Sequence, residues 1–584
     1  MTGPGGEAVG VVLGHQAATS QTFSVGLDDG RTLEVDDLVA VTTPDPAGEV
    51  TTYGVVAETY AQLEGASLPS DTRVIAEGQM PGELVRTAEV QVVRVDPERW
   101  VAAHPGLPVR RARGEERARA LYEDTMERRL AAGLGRDGAP VHLDLDFVDG
   151  TKGGHVSISG ISGVATKTST ALALVRLLLE HREMRRRVRV LVFNVKGEDL
   201  LHLDRPNARY AARPDREELD RRWAALGLAE PGPFPSVGFW APPRRDGGGP
   251  DTESRHEGVR AFGWTPYRFA VEGLLRFCFA EAGDMRNQLS FVEERVRGEL
   301  LRRAVPVVAH PGCLGLLDGA AEPDPERRAE RAPGELLAGP FCDLRELVEW
   351  LAGRLSDDDW LAAEGRAWVG NAAHGTVQAF VRRLQAAVGR LRGLIRADAQ
   401  AIPRGAAAAG EPPVAVVHLT RLHDFAQRFV VGTLLAQTFQ AKEGGARDPI
   451  EVVVLDELNK YAPREGQSPI KDTLIDIAQR GRSLGVILVG AQQQASLVAP
   501  EVTQNAAVRI SGRLDPAEAE RSEYGWLSPQ ARARARLLMQ GRVLVSQPSV
   551  PAAIAVELPF PPWATTSGEA SRAERGAEAL ARFA

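Results

Sequence analysis

The stretch EVVVLDELNKYAP, Glu451 to Pro463, is an apolar, β-branched run that ends abruptly in two adjacent carboxylates, Asp456 and Glu457. A short apolar run bounded by polar residues reads as a strand buried on both faces. One helical stretch later LGVILVGAQQQ, Leu484 to Gln494, repeats the pattern and ends in amides. In a parallel sheet such strand ends lie side by side, where Asp456 can hold a hydrated magnesium ion and Glu457 can polarise a water. The arrangement predicts a nucleoside triphosphatase. The bland alternative for the two acids is a pair at a helix amino terminus, steadied by the helix dipole.

Working outward, apolar strand runs alternate with helical patterns: HVSISG from His155, VRVLVFNV from Val188, VAVVHL from Val414, and VILVGA from Val486. Alternation of this kind predicts an α/β core, residues 151–205 and 411–562, with a parallel sheet covered by helices on both faces. The stretch 206–410 between the second and third runs is mostly helical in pattern and broken by loop-like RRDGGGPD and AAEPDPERR, so it reads as a helical insertion. Residues 1–100 carry short Val- and Thr-rich runs punctuated by LDDGRT and PDPAGE, the signature of a small antiparallel β-barrel. Residues 101–150, with RRARGEERARALYEDTMERRL from Arg110, read as a linker helix, and the Ala-, Glu- and Arg-rich stretch 563–584 as a weakly ordered tail.

After HVSISG comes GISGVATKTS, Gly160 to Ser169, and then the helical pattern TALALVRLLLE. A strand, a glycine loop, Lys-Thr and a helix let backbone N–H groups and the helix amino terminus wrap phosphates. The residues that would do so are Gly160, Ser162, Gly163, Val164, Ala165, Thr166, Lys167, Thr168 and Ser169. Lys167 would reach the β and γ phosphates, and Thr168 would share the magnesium with Asp456. The loop departs from the usual motif, because six residues separate Gly160 from Lys167, and Ala165 and Thr166 stand where glycine is expected. Side chains there crowd the backbone and resist positive φ. On this loop alone an ordinary strand-to-helix turn competes with a phosphate cradle. Gln493 is placed to sense the γ-phosphate and relay its loss, against the alternative that any of the three glutamines, Gln492, Gln493 or Gln494, is solvated loop. His155 and His202 read as packing or hydrogen-bonding residues.

Composition bounds the rest. A chain of 584 residues with 43% hydrophobic and 25% charged residues suits a soluble protein of two or three domains. The three cysteines, Cys278, Cys313 and Cys342, have no paired metal spacing, which argues against a zinc site or a disulfide framework and suits a reducing cytoplasm. The start MTGPGGEAVG lacks the basic and apolar segments of a signal peptide, and no apolar run is long enough to span a bilayer. A formal charge of −8 gives no overall basic footprint, yet a channel that grips nucleic acid needs only local positive charge.

The stretch VVVLDELNKYAP followed by IAQRGRSLGVILVGAQQQASLVAPEVTQNAAVRISGRLDPAEAE, Ile477 to Glu520, together with the phosphate loop and FNVKGED, Phe193 to Asp199, resembles the HerA-like ATPases of the HerA and FtsK superfamily. The early barrel is similar to that family's amino-terminal barrel in pattern. The resemblance implies a RecA-like P-loop core that binds ATP and Mg2+, assembles as a homohexamer and moves double-stranded DNA through its centre. It also implies an arginine supplied by the adjacent protomer to the γ-phosphate, for which Arg482 ranks first, with Arg480, Arg509 and Arg513 as competitors. Lys460, Lys471 and the arginines of HREMRRRVR are the basic candidates for DNA phosphates. Two functions follow. One is a DNA translocase in genome processing or anti-phage defence, working with a nuclease or other effector partner. The other is a nucleotide-binding scaffold with little turnover, motivated by the altered loop. A membrane-anchored motor is disfavoured.

Overall fold

The run IEVVVL forms the strand β17 (Ile450–Leu455), buried at every position in the middle of a large sheet. The computed structural model describes residues 7–161, 167–245, 249–279, 289–391 and 393–570. Six antiparallel strands close the amino-terminal barrel: β1 (Ala8–Val12), β2 (Thr22–Leu27), β3 (Leu38–Thr43), β4 (Val50–Glu64), β5 (Glu83–Asp96) and β6 (Pro108–Arg111). A hairpin, β7 (Arg129–Leu134) and β8 (Pro140–Asp144), leads into β9 (Val156–Ser159) and β10 (Val188–Asn194). Then come β11 (Val237–Ala241), β12 (Val259–Ala261), β13 (Ala304–Pro306), β14 (Leu314–Leu316) and β15 (Ala338–Phe341). The last six are β16 (Val414–His418), β17, β18 (Val486–Gln492), β19 (Val508–Ser511), β20 (Arg542–Gln547) and β21 (Val550–Glu557).

The main sheet runs β12-β11-β16-β10-β17-β18-β9-β19-β20-β21-β7-β8. From β12 to β19 every pairing is parallel, and the remaining edge is antiparallel. Strand alternation sorts the side chains onto two faces. Val453 and Leu455 join the core with Phe429, Leu434, Ile470 and Leu474, from the helices Asp424–Glu443 and Pro469–Leu484. Val452 and Val454 join the opposite core with Leu172, Val175 and Leu179, from the helix Lys167–Glu180. The helix Pro469–Leu484 shows its ends in the sequence: Ser468 caps the N–H of Lys471 at 3.2 Å, Pro469 opens the first turn, and Gly485 stops it at φ 79°.

Three expectations about the intervening chain need correction. Residues 101–150 are not a linker helix: only Glu115–Ala120 is α-helical, Pro108–Arg111 closes the barrel as β6 between β1 and β3, and β7–β8 extends the main sheet. The charged run that reads as a linker helix is satisfied across elements instead, with Arg110 on Glu116 at 2.6 Å and Arg117 on Asp137 at 2.6 Å. Gly114, at φ 54°, breaks any continuous helix there. The stretch 206–410 carries helices, notably Leu289–Arg303, Leu344–Leu355 and His374–Arg390, but they make up well short of its whole length, and it also lends β11 and β12 to the main sheet and folds β13–β15 into a small sheet of its own. Residues 563–570 are packed rather than loose: Trp563 is buried, with its ring centroid 5.4 Å from that of Trp223. Residues 571–584 lie outside the described residues.

The cysteines also depart from expectation. Cys313 and Cys342 form a disulfide, their Cα atoms 4.3 Å apart, and Cys278 is buried and free. The reason is register. Leu314 pairs with Phe341 across β14 and β15, which sets the preceding and following residues, Cys313 and Cys342, face to face. Spacing in sequence carries no trace of that ladder.

Candidate functional site

Parallel pairing brings the carboxyl ends of β9, β10, β17 and β18 to one edge of the sheet, with Phe193 beside Leu455 and Leu455 beside Gly490. At that edge the chain leaves β9 through Gly160, whose N–H donates to the carbonyl of Gln492 at 3.2 Å, and Ile161, whose N–H donates to the carbonyl of Arg513 at 2.8 Å. Ser162, Gly163, Val164, Ala165 and Thr166 lie outside the described residues. The helix resumes at Lys167, which is buried, and burial lowers its ammonium pKa against the partly offsetting charge of Asp456. Thr168 and Ser169 follow on the first turn, both half-buried.

The Thr168 hydroxyl donates to Asp456 Oδ2 at 3.2 Å, so a residue from the start of one helix meets the end of a strand 288 positions away. Asp456 Oδ1 accepts the backbone N–H of Glu457 at 2.8 Å. Glu457 itself has φ 57° and ψ 46°, a left-handed conformation that costs a residue with a β-carbon roughly 1–2 kcal/mol. Such a bend immediately after a buried strand is the kind of stored strain that gathers at working sites. It sets the Glu457 side chain against Gln493, whose Nε2 donates to Oε1 at 2.9 Å.

The three glutamines separate cleanly. Gln492 is fully buried and its amide donates to Ser157 Oγ at 2.9 Å and Ser159 Oγ at 2.8 Å, tying β18 to β9. Gln493 points to Glu457. Gln494 is exposed.

One residue at this edge escaped the sequence reading. Lys196, two positions beyond β10, pairs with Glu457 Oε1 and lies 3.6 Å from Asp456 Oδ2. Burial pushes the Glu457 carboxyl up, but the hydrogen bonds from Lys196 and Gln493 prevail and hold its pKa below the ordinary range. The Lys196 ammonium is burdened by burial in turn, yet its bond to Glu457 raises its pKa overall. The signal was in FNVKGED, a lysine just past a strand end, but only the order β10-β17 places it beside the acids.

The arginine candidates sit elsewhere within the chain. Arg482 is exposed on the last turn of its helix, at the amino-terminal edge of the sheet, and donates to the carbonyl of Lys152 at 2.9 Å. Arg480 pairs with Glu443 at 2.8 Å, and Arg509 donates to the Gln504 carbonyl at 3.2 Å. Arg513 flanks the loop through its backbone while its side chain donates to the carbonyl of Leu538 at 2.8 Å. Two basic candidates for DNA are committed to the protein: Lys471 is buried with its ammonium on the carbonyls of Arg464 and Gly466, and Lys460 pairs with Asp424 at 2.5 Å. His155 and His202 are buried, and burial lowers each to about 4. The first accepts from the N–H of Leu488 at 3.0 Å, and the second lies 3.2 Å from Ser254 Oγ.

No family model and no curated protein matches this chain. Solved structures do resemble it. VirB4 of Thermoanaerobacter pseudethanolicus is 16% identical over 74% of this chain and 96% of its own, with a TM-score of 0.43. The plasmid coupling protein TrwB, solved with the ATP analogue ADPNP, is 13% identical over 76% and 92%, with a TM-score of 0.45. The genome packaging NTPase B204 of Sulfolobus turreted icosahedral virus 2, with AMP, is 17% identical over 26% and 70%, at 0.21. At such scores the reading of this chain rests on its own residues. A parallel sheet between helical layers, with the helix that starts at Lys167 set beside the acidic end of β17, is a RecA-like α/β architecture, here joined to a six-stranded barrel. Among the described residues no helix is long and apolar enough to cross a membrane.

Proposed function

We propose that this chain is an ATPase motor of the HerA and FtsK type that moves double-stranded DNA as a homohexamer, in DNA processing or anti-phage defence, together with a nuclease or other effector. The observation that carries the reading is the contact between Thr168 and Asp456, 3.2 Å, with Glu457 and Gln493 directly beside it. A hydroxyl and a carboxylate oxygen converging beside a buried lysine are hard oxygen donors of the kind magnesium takes when it is shared with phosphates. Among the described residues no cluster of three His, Cys, Asp or Glu side chains gathers, which suits a metal held by few protein ligands rather than by a cage.

In this reading Lys167 and the helix amino terminus hold the β and γ phosphates, and Thr168 and Asp456 hold the metal, which supplies positive charge to the transferred phosphoryl group. Glu457 orients the attacking water and takes its proton. Gln493 fixes the Glu457 carboxylate, so that loss of the γ-phosphate at Glu457 is felt by β18. Arg482 acts on the neighbouring protomer's site, since its exposed position leaves it available to a second copy.

The decisive measurement is ATP turnover by purified protein with and without duplex DNA, combined with particle imaging. DNA-stimulated turnover by a six-membered ring supports the motor. A nucleotide-binding particle whose turnover equals that of Glu457→Gln, with or without DNA, supports the scaffold reading, which the lengthened loop between Gly160 and Lys167 motivates.

A further inference from the structure

Two adjacent carboxylates at a strand end repel each other unless a cation stands between them. Here that cation is Lys196, which reaches Glu457 Oε1 and Asp456 Oδ2 from the neighbouring strand end. The contact pattern is specific. Asp456 Oδ2 is the same oxygen that faces the Thr168 hydroxyl, and Glu457 Oε1 is the same oxygen that Gln493 holds. A divalent ion taken between Thr168 and Asp456 would therefore arrive within contact range of the ammonium, where like charges compete for one oxygen.

We propose that Lys196 is a positioning residue that competes with the metal for Asp456 and keeps Glu457 engaged until a metal-bound triphosphate displaces it. The inference rests on the nucleotide-binding reading of this edge. It makes metal affinity conditional: the ion alone must expel an ammonium, whereas the triphosphate brings negative charge that gives the expelled lysine a new partner. Lysine suits this role, because its ammonium is a point charge on a flexible four-carbon stem and can swing away without breaking a fork of hydrogen bonds. The side chain is 44% exposed, so the swing has somewhere to go. The positive-φ bend at Glu457 fixes the other half of the contact and leaves Lys196 as the partner that moves.

The test uses the full chain and two probes, Mn2+ alone, read by the electron paramagnetic resonance of the free ion, and a fluorescent ATP analogue with Mg2+. Lys196→Met should bind Mn2+ alone more tightly than wild type by at least about tenfold, as expected for removing a unit charge near the ion. Lys196→Arg, which keeps the charge, should stay near wild type, and Asp456→Asn should leave the free-ion signal undiminished and so assign the binding to this site. Unchanged or weaker Mn2+ binding in Lys196→Met overturns the proposal. So does a loss of analogue affinity with Mn2+ affinity unaltered, which would make Lys196 a phosphate ligand. Lys196→Gln serves in its place if the Met variant fails to fold. Failure of wild type to bind the analogue would instead overturn the nucleotide reading, whatever Mn2+ does.

Discussion

The barrel-to-sheet junction and the carboxyl edge of the sheet are both dense in charge, and they handle it in opposite ways. At the junction two acids meet arginines in forks: Arg94 spans both oxygens of Asp124 at 2.6 and 3.0 Å, and Arg110 grips Glu116 through two nitrogens at 2.9 and 2.6 Å. Asp146, itself buried, takes Arg128 Nε at 2.9 Å and shares Lys152, 2.9 Å away, with Asp144. At the carboxyl edge two acids in sequence share one lysine, with no guanidinium fork on either among the described residues. Planar forks fix geometry, whereas an ammonium on a flexible stem leaves its partners exchangeable. The first region uses charge to hold elements together. The second keeps charge available.

The comparison is sharpest where a substitution should damage one property and spare the other. Glu457→Gln should lower kcat by about 10²- to 10⁴-fold, the range for loss of a general base, while the affinity for an ATP analogue changes little; steady-state turnover and equilibrium binding check both. An equal loss of thermal stability would place this acid with the junction acids instead. Arg128→Ala should do the reverse, costing about 3 kcal/mol by taking the guanidinium from the buried Asp146 and Asp149, with analogue affinity unchanged; denaturant midpoints measure it.

The pH dependence of that second variant gives the sign of the effect. Burial pushes the Asp146 carboxyl up, but the hydrogen bonds from Lys152 and Arg128 hold its folded pKa below the ordinary 3.8. Its contribution to stability is then complete above that value and disappears as the pH falls through the lower, folded one. Wild type should therefore lose denaturant resistance below about pH 4, and Arg128→Ala should show a shallower loss over the same window.

Smaller effects separate neighbours. Gln493→Ala should cut turnover by roughly tenfold through a loosened Glu457, with stability nearly unchanged, because a single positioning hydrogen bond is removed from a half-exposed edge. Ser468→Ala removes the cap of the helix Pro469–Leu484 and should cost about 1 kcal/mol without altering turnover per folded molecule.

Legibility in the sequence follows the same division. The acid end of β17, the start of the helix at Lys167 and the amide end of β18 were readable because each depends on residues adjacent in the chain. Lys196 was not, because its partners come from a strand more than two hundred positions away, and no local pattern encodes which strands are neighbours. The charged stretch after Arg110 misled for a related reason. Its spacing suits a helix surface, but Arg110 and Arg117 find partners through tertiary contacts, and packing overrides local preference. Cys313 and Cys342 were misjudged because pairing depends on the register of β14 and β15, and Trp563 because its partner Trp223 belongs to the insertion.

The amide of Gln492 has a mechanical corollary. It bolts β18 to β9 through two serine hydroxyls at the carboxyl end of a buried ladder, one residue before the glutamine that meets Glu457. Those two strands cannot slide past each other without shearing both bonds. A displacement that began at Glu457 would therefore pass to the Gln493 side chain or the short turns from Ala495 to Gln504 rather than into a sliding of β18 along β9.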